Sequence, residues 1–247
     1  MSDSERRFPW PAGKRGAVSL SFDDARPSQV DAGVPILNRH GVRATFYVWP
    51  RNLALRVESW KQAVAAGHEI GNHTVSHPCG ANYCFDWTDP LEDFTLDRME
   101  RELLEANDEV QKLLGVRPTS FAYPCGQTYV GKGAQCRSYV PLVAKHFTVG
   151  RSAFDECSNN PFVMDLAQAY ALSMDDSSRE RLQGLVDAAL AAGNWLMLLG
   201  HNVRSEPGQT VNEETLDWLC SYLTDAKLGA WVDTDSTIGA FVAGAQK

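Results

Sequence analysis

Short apolar runs and stretches of helical period alternate along this chain of 247 residues. GAVSLSF (residues 16–22) reads as a buried strand, and residues 30–40 follow with apolar positions at helical spacing. RATFYVW (43–49), rich in aromatic and β-branched residues, predicts a second strand. A helix is expected over 57–66, then a short strand in HEIG (68–71). Residues 96–114 carry the longest helical signal, with Leu96, Met99, Leu103, Val110, Leu113 and Leu114 at helical spacings and Gly115 placed to end it. SFAY (120–123), HFTVG (146–150), AYALS (169–173), WLMLLG (195–200) and residues 230–232 read as further strands, with helices over 179–192 and 213–223. Such alternation predicts an α/β fold built on a mainly parallel sheet, open or closed into a barrel. Residues 78–95 hold Pro, Gly, Asn and Asp and predict a loop insertion. With no internal repeat, low-complexity tract or linker, residues 1–247 read as a single domain.

Composition changes this picture little: 44% hydrophobic and 22% charged residues are enough for a sizeable core. The formal net charge is −8 and no basic run is long enough to track a phosphate backbone, which argues against nucleic acid as a partner. MSDSERRFPWPAGKRG at the N-terminus has no apolar signal-peptide core, and no stretch approaches a membrane span. Cytoplasmic residence without a membrane partner is the expectation. Six cysteines (79, 84, 125, 136, 157, 220) form no CxxC pair, so free thiols in a reducing compartment are the simpler reading. A Cys79–Cys84 or Cys125–Cys136 bridge stays open.

Three polar constellations sit at or just after strand-like runs, where α/β proteins place their sites. Asp23-Asp24 follows SLSF; by itself such a pair is more often a turn or cap. GHEIGNHTVSH (67–77) carries His73 and His77 four residues apart, so a helical turn would aim both rings at one ion, although a bare HxxxH is weak evidence. His68 reads as structural. WLMLLGHNV (195–203) delivers His201 to a strand end, as a general acid or base or as a hydrogen-bonded loop histidine. Taken together, one carboxylate and two imidazoles make a His₂Asp set with open positions, the second carboxylate is free to act as a base, and His201 can protonate a leaving group.

In this combination the sequence resembles the polysaccharide deacetylases of the NodB-homology family (carbohydrate esterase family 4), over roughly residues 17–201. SFDDA resembles the family's TFDDG, HTVSH its H[ST]xxH and LLGH its fifth motif. The resemblance implies a distorted (β/α)7 barrel and a metal-dependent hydrolase that removes acetyl groups from an N-acetylated sugar or glycan by attack of a metal-bound water. It makes Asp23 the catalytic base, Asp24, His73 and His77 the ligands of one divalent ion (Zn, with Co, Ni or Fe as alternatives), and His201 the catalytic acid. Cys125, through its backbone N–H, and Tyr123 fall at the substrate and oxyanion position. A carbohydrate is the implied partner.

The chain departs from the family pattern in three places. FAYPCG stands where RPPYG is usual, with Ala122 at the arginine position and Cys125 at the tyrosine position, leaving Arg26 and Arg151 as candidate supports for the catalytic aspartate. The fourth motif is indistinct: Asp175 and Asp176 lie in its region without a tryptophan partner. Ala25 replaces a glycine, which predicts a turn of ordinary geometry there. Loop aromatics Tyr83, Trp87 and Tyr129 are candidates for stacking on a sugar, though packing within the loop is the commoner use. Two other readings stay open: a hydrolase of a non-sugar C–N bond, in a cyclic amide or ureide, and a non-catalytic carbohydrate-binding relative.

Overall fold

The computed structural model describes residues 7–246. The first six residues of the N-terminal stretch read for a signal peptide therefore lie outside the described residues. In chain order the first half holds β1 (Gly16–Asp23), α1 (Val34–Arg39), β2 (Thr45–Val48), α2 (Pro50–Leu53), α3 (Val57–Ala65), β3 (Glu69–Asn72), α4 (Leu96–Leu114) and β4 (Ser120–Ala122). The hairpin β5 (Tyr129–Val130) and β6 (Arg137–Ser138) follows, then α5 (Val140–His146), β7 (Val149–Arg151), β8 (Ala171–Ser173), α6 (Arg179–Ala192) and β9 (Trp195–Gly200). The chain closes with β10 (Asn202–Val203), β11 (Thr210–Val211), α7 (Glu213–Thr224), β12 (Ala230–Val232) and α8 (Asp235–Ala245).

The main sheet is parallel, in the order β7-β4-β3-β2-β1-β9-β8. β12 pairs with the first residues of β1, whose last residues pair with β2. A bridge from Arg151 to Ala169, just before β8, brings the two outer strands together, so the sheet is nearly closed into the distorted barrel expected. β1 and β9 are buried along their whole length and so covered on both faces, β9 as an unbroken apolar run and β1 with Ser19 and Ser21 buried within it. Phe22, Phe46 and Trp60 lie in the largest core cluster, between the sheet and its surrounding helices.

The periodic stretches form the elements their pattern predicts. α4 begins at Thr95, whose side chain accepts from the Arg98 N–H, and ends at Gly115 in the left-handed region (φ 76°). The stretch near residue 30 opens as a π-turn over Gln29–Gly33 before α1. Residues 78–95 are a largely irregular insertion with two short 3₁₀ turns. The β5–β6 hairpin, α5 and α8 carry weaker signals: α8, DSTIGAFVAGA, is rich in small residues, and its Gly239 sits too close to Val149 for a Cβ. No helix among the described residues is long and apolar enough to cross a membrane.

Candidate active site

The C-terminal ends of β1, β3, β4, β7 and β9 open on one cavity of about 520 Å³, which Asp23, Asp24, His73, His77, Tyr123, Cys125 and His201 all line. The candidate ligands, base and acid, with Tyr123 and Cys125, are all brought to this one mouth.

Asp23 ends β1 and Asp24 turns out of the strand at φ 76°, followed by Ala25 at φ 53°. The turn is thus left-handed at both residues, not of the ordinary geometry expected for Ala25, and alanine there costs about 1–2 kcal/mol. Leaving the strand separates the two carboxylates: Asp23 stays buried in the barrel mouth, and Asp24 faces the histidines. Buried Gln29 fixes this turn, its Nε2 donating to the carbonyls of Asp23 (2.5 Å) and His201 (2.9 Å).

Asp24 Oδ1 lies 3.6 Å from His73 Nε2 and 3.3 Å from His77 Nε2. The two rings converge through an irregular loop and not the helical turn anticipated, with Thr74 (φ 62°) and His77 (φ 51°) left-handed. Glu102 of α4 holds that loop, accepting from the N–H groups of Val75 and Ser76 and from the Ser76 hydroxyl. His73 Nδ1 lies 2.9 Å from the Ala122 carbonyl. A carbonyl only accepts, so Nδ1 carries the proton and Nε2 presents its lone pair. Burial lowers His73 to about 4, keeping the ring neutral near pH 7. Burial alone would raise the Asp24 carboxyl, but the His77 hydrogen bond and the nearby imidazoles hold it well below the carboxylate range. One carboxylate and two imidazoles, with donor atoms within 4.8 Å of one another, make a donor set that would suit a divalent cation.

Asp23 accepts a hydrogen bond from Nη2 of Arg151, a fully buried residue. Ala122 and Arg151 are register partners on neighbouring strands β4 and β7, so the arginine comes from the strand beside the one that would usually carry it. Arg26 does not substitute: it braces Asp24, donating from Nε (3.0 Å) and Nη2 (2.9 Å) to Oδ2. Burial would raise the Asp23 carboxyl, yet Arg151, with His73 and His201, leaves it lowered and ionised.

His201 follows β9, and Asp175 grips it twice, accepting from its backbone N–H (2.9 Å) and from Nδ1 (2.5 Å). Burial would lower the imidazole, but the Asp175 hydrogen bond and the charges of Asp23, Asp175 and Asp24 leave it raised. Asp175 is therefore the partner that the indistinct fourth motif left open; Asp176 instead accepts from the Gly208 N–H.

Cys125 is joined to Cys79 by a disulfide with Cα atoms 6.0 Å apart, which corrects the free-thiol reading for these two and excludes both alternative pairings, while Cys84, Cys136, Cys157 and Cys220 are free thiols as expected. β3 and β4 are neighbours in the sheet, so loops 46 residues apart in sequence meet above them. The bridge excludes Cys125 as a nucleophile and holds it at φ 54° with its N–H unpaired among the described residues. Tyr123 lines the cavity, but its hydroxyl donates to the Ala167 carbonyl and its N–H to that of Arg151. His68 is structural, as read: buried, with Nδ1 accepting from the Ala44 N–H. Trp49, Phe85 and Trp87 form an aromatic wall beside His77, the last two stacked at 4.1 Å, while exposed Tyr129 lies outside the cavity.

The sequence profile of the polysaccharide deacetylase family matches residues 11–136. Uncharacterized protein YlxY of Bacillus subtilis is 34% identical over 96 residues, 38% of this chain and 26% of that protein. A chitooligosaccharide deacetylase of Bradyrhizobium is 40% identical over 63 residues, 25% of this chain and 29% of that protein. These matches span between a quarter and a third of the relatives' own lengths. A Mycobacterium smegmatis structure aligns over 96% of this chain and 93% of its own at 19% identity, with a TM-score of 0.65, and has the same fold. With the family profile covering half of its length and the family's barrel under the site, the chain belongs to the polysaccharide deacetylase family.

Proposed function

We propose that the chain is a metal-dependent hydrolase that removes acetyl groups from an N-acetylated sugar or glycan. One observation carries the reading: a carboxylate–bis-imidazole set, a separate arginine-held carboxylate and an aspartate-held histidine converge in a single cavity. Asp24, His73 and His77 would hold one divalent ion, for which zinc suits the donor set, and its chemistry there is Lewis-acid polarisation and the acidification of water.

The chain's own residues supply the remainder. Asp23, kept ionised by Arg151, accepts the proton of the attacking water. The Cys125 N–H, aimed by the disulfide-bound turn, donates to the oxygen that gains charge as the amide carbon becomes tetrahedral. His201 keeps its proton to higher pH than an ordinary histidine and gives it to the departing sugar amine. Asp175 occupies Nδ1, so the proton leaves from Nε2. The wall of Trp49, Phe85 and Trp87 offers flat apolar faces to a pyranose ring.

Acetate release from chitooligosaccharides, peptidoglycan fragments and soluble acetylated sugars, measured beside the opening of cyclic amides, tests the proposal. Acetate from at least one acetylated sugar is expected. No acetate together with ring opening of a cyclic amide would replace it with the non-sugar C–N hydrolase.

A further inference from the structure

Arg151 reaches Asp23 from within the barrel, and its surroundings continue away from the site toward the opposite end. Its guanidinium carbon lies 4.8 Å from the ring centroid of Tyr47, the buried third residue of β2. The Tyr47 hydroxyl donates to Asp235 Oδ2 at 2.7 Å. Asp235 is the first residue of α8 and is fully buried; its N–H donates to Thr45 Oγ1, which donates to Glu69 at the start of β3. The ring's place is built in: a Cβ on Gly71 of β3 would collide with it.

We propose that Tyr47 and Asp235 are positioning residues for the catalytic base, fixing Arg151 through the ring over which its guanidinium lies and so tying the C-terminal helix to the reaction. This rests on the proposed hydrolase reading. Arg151 has few other restraints: Nη1 donates to the Ser152 carbonyl, and Nε is buried without a partner among the described residues. The Tyr47 hydroxyl bond holds the Oδ2 edge of the Asp235 carboxylate against the ring. An arginine that shifts within the barrel moves the carboxylate it holds, and misplacement by about 1 Å lowers a rate by up to two orders of magnitude.

The test pairs kinetics with an observation of the arginine itself. Tyr47→Phe keeps the ring and removes only the hydroxyl, and Asp235→Ala removes its acceptor. Each is expected to lower kcat about tenfold with KM and bound metal unchanged. The double variant should be no slower than Tyr47→Phe, because both changes break one link. Asp235→Asn retains an acceptor for the hydroxyl and should stay within about twofold of the parent. In arginine-labelled protein, the Arg151 guanidinium N–H signals should be sharp in the parent and broadened in Tyr47→Phe. Parent-like kcat in Tyr47→Phe, losses confined to KM, or slowing that multiplies in the double variant would overturn the proposal. Protein without activity on any acetylated sugar would refute the deacetylase reading alone, and the guanidinium signals would then decide whether Tyr47 holds Arg151: unchanged signals would overturn the positioning role.

Discussion

Asp23 and Asp24 are neighbours in sequence, yet their carboxylates face different partners because the strand stops between them. Asp23 keeps its strand position and meets Arg151, while Asp24, at φ 76°, swings toward His73 and His77. The division is testable by substitution. Asp24→Asn or His73→Ala should abolish stoichiometric metal binding, read by elemental analysis of dialysed protein. Asp23→Asn should retain the metal while losing about two orders of magnitude or more in kcat. Loss of metal from Asp23→Asn would reverse the two roles. At His201 the geometry makes a statement about pH. Its raised pKa keeps the ring protonated to higher pH, so an activity that needs the acid persists and then falls as pH rises through that value. Asp175→Asn removes the chief support, so the alkaline fall of the pH–rate profile should begin at lower pH. An unmoved profile would argue against the acid assignment. The residues proposed as ligands, base and acid were legible at this scale, since each lies in a motif with fixed spacing and all line the one cavity. The supports were legible only as alternatives, Arg151 beside Arg26 and Asp175 beside Asp176, and the sequence could not choose between them. Arg151 occupies Ala122's register partner on another strand, and Asp175 lies 26 residues before the histidine it holds, so neither pairing has a local signature.

At the scale of elements, the loops after β3 and β4 do the assembling. Thr74 and His77 take left-handed conformations so that two imidazoles meet without a helix, and Glu102 on α4 anchors the segment between them. The Cys79–Cys125 bridge joins that segment to the turn presenting the Cys125 N–H. Closing a loop of 46 residues constrains the unfolded chain by about 4 kcal/mol in the chain-entropy model. The Cys79→Ser/Cys125→Ser variant should accordingly melt lower, and it should lose kcat beyond what reduced stability explains, because the amide is no longer held. Equal kcat in folded variant and parent would assign the bridge to stability alone. The spacing argument for free thiols holds for four cysteines and failed for Cys79 and Cys125 because it compared cysteines along the chain, whereas strand order decides which loops meet. The argument from thiols for a reducing compartment falls with it. The long periodic helices and apolar strands were legible because burial dictates their patterns, and Leu96–Leu114 has the predicted bounds. α8 was not, because a short helix rich in Gly and Ala shows little contrast between its faces.

At the scale of the molecule, seven parallel strands nearly close into a barrel, with β12 added beside β1. The barrel gathers five strand ends into one mouth and, by the inference drawn from Tyr47 and Asp235, sends support for the base through its interior. The family resemblance anticipated the near closure; alternation of strands and helices by itself left open and closed sheets equally available. What the whole arrangement most needs is a cation at Asp24, His73 and His77 acting together with Asp23 and His201 on an acetamide. The most direct measurement is acetate release from N-acetylated chitooligosaccharide by the purified protein, before and after chelation and after addition of Zn²⁺. The account predicts release that stops on chelation and returns with the ion. Release that persists in chelated, metal-free protein would contradict it.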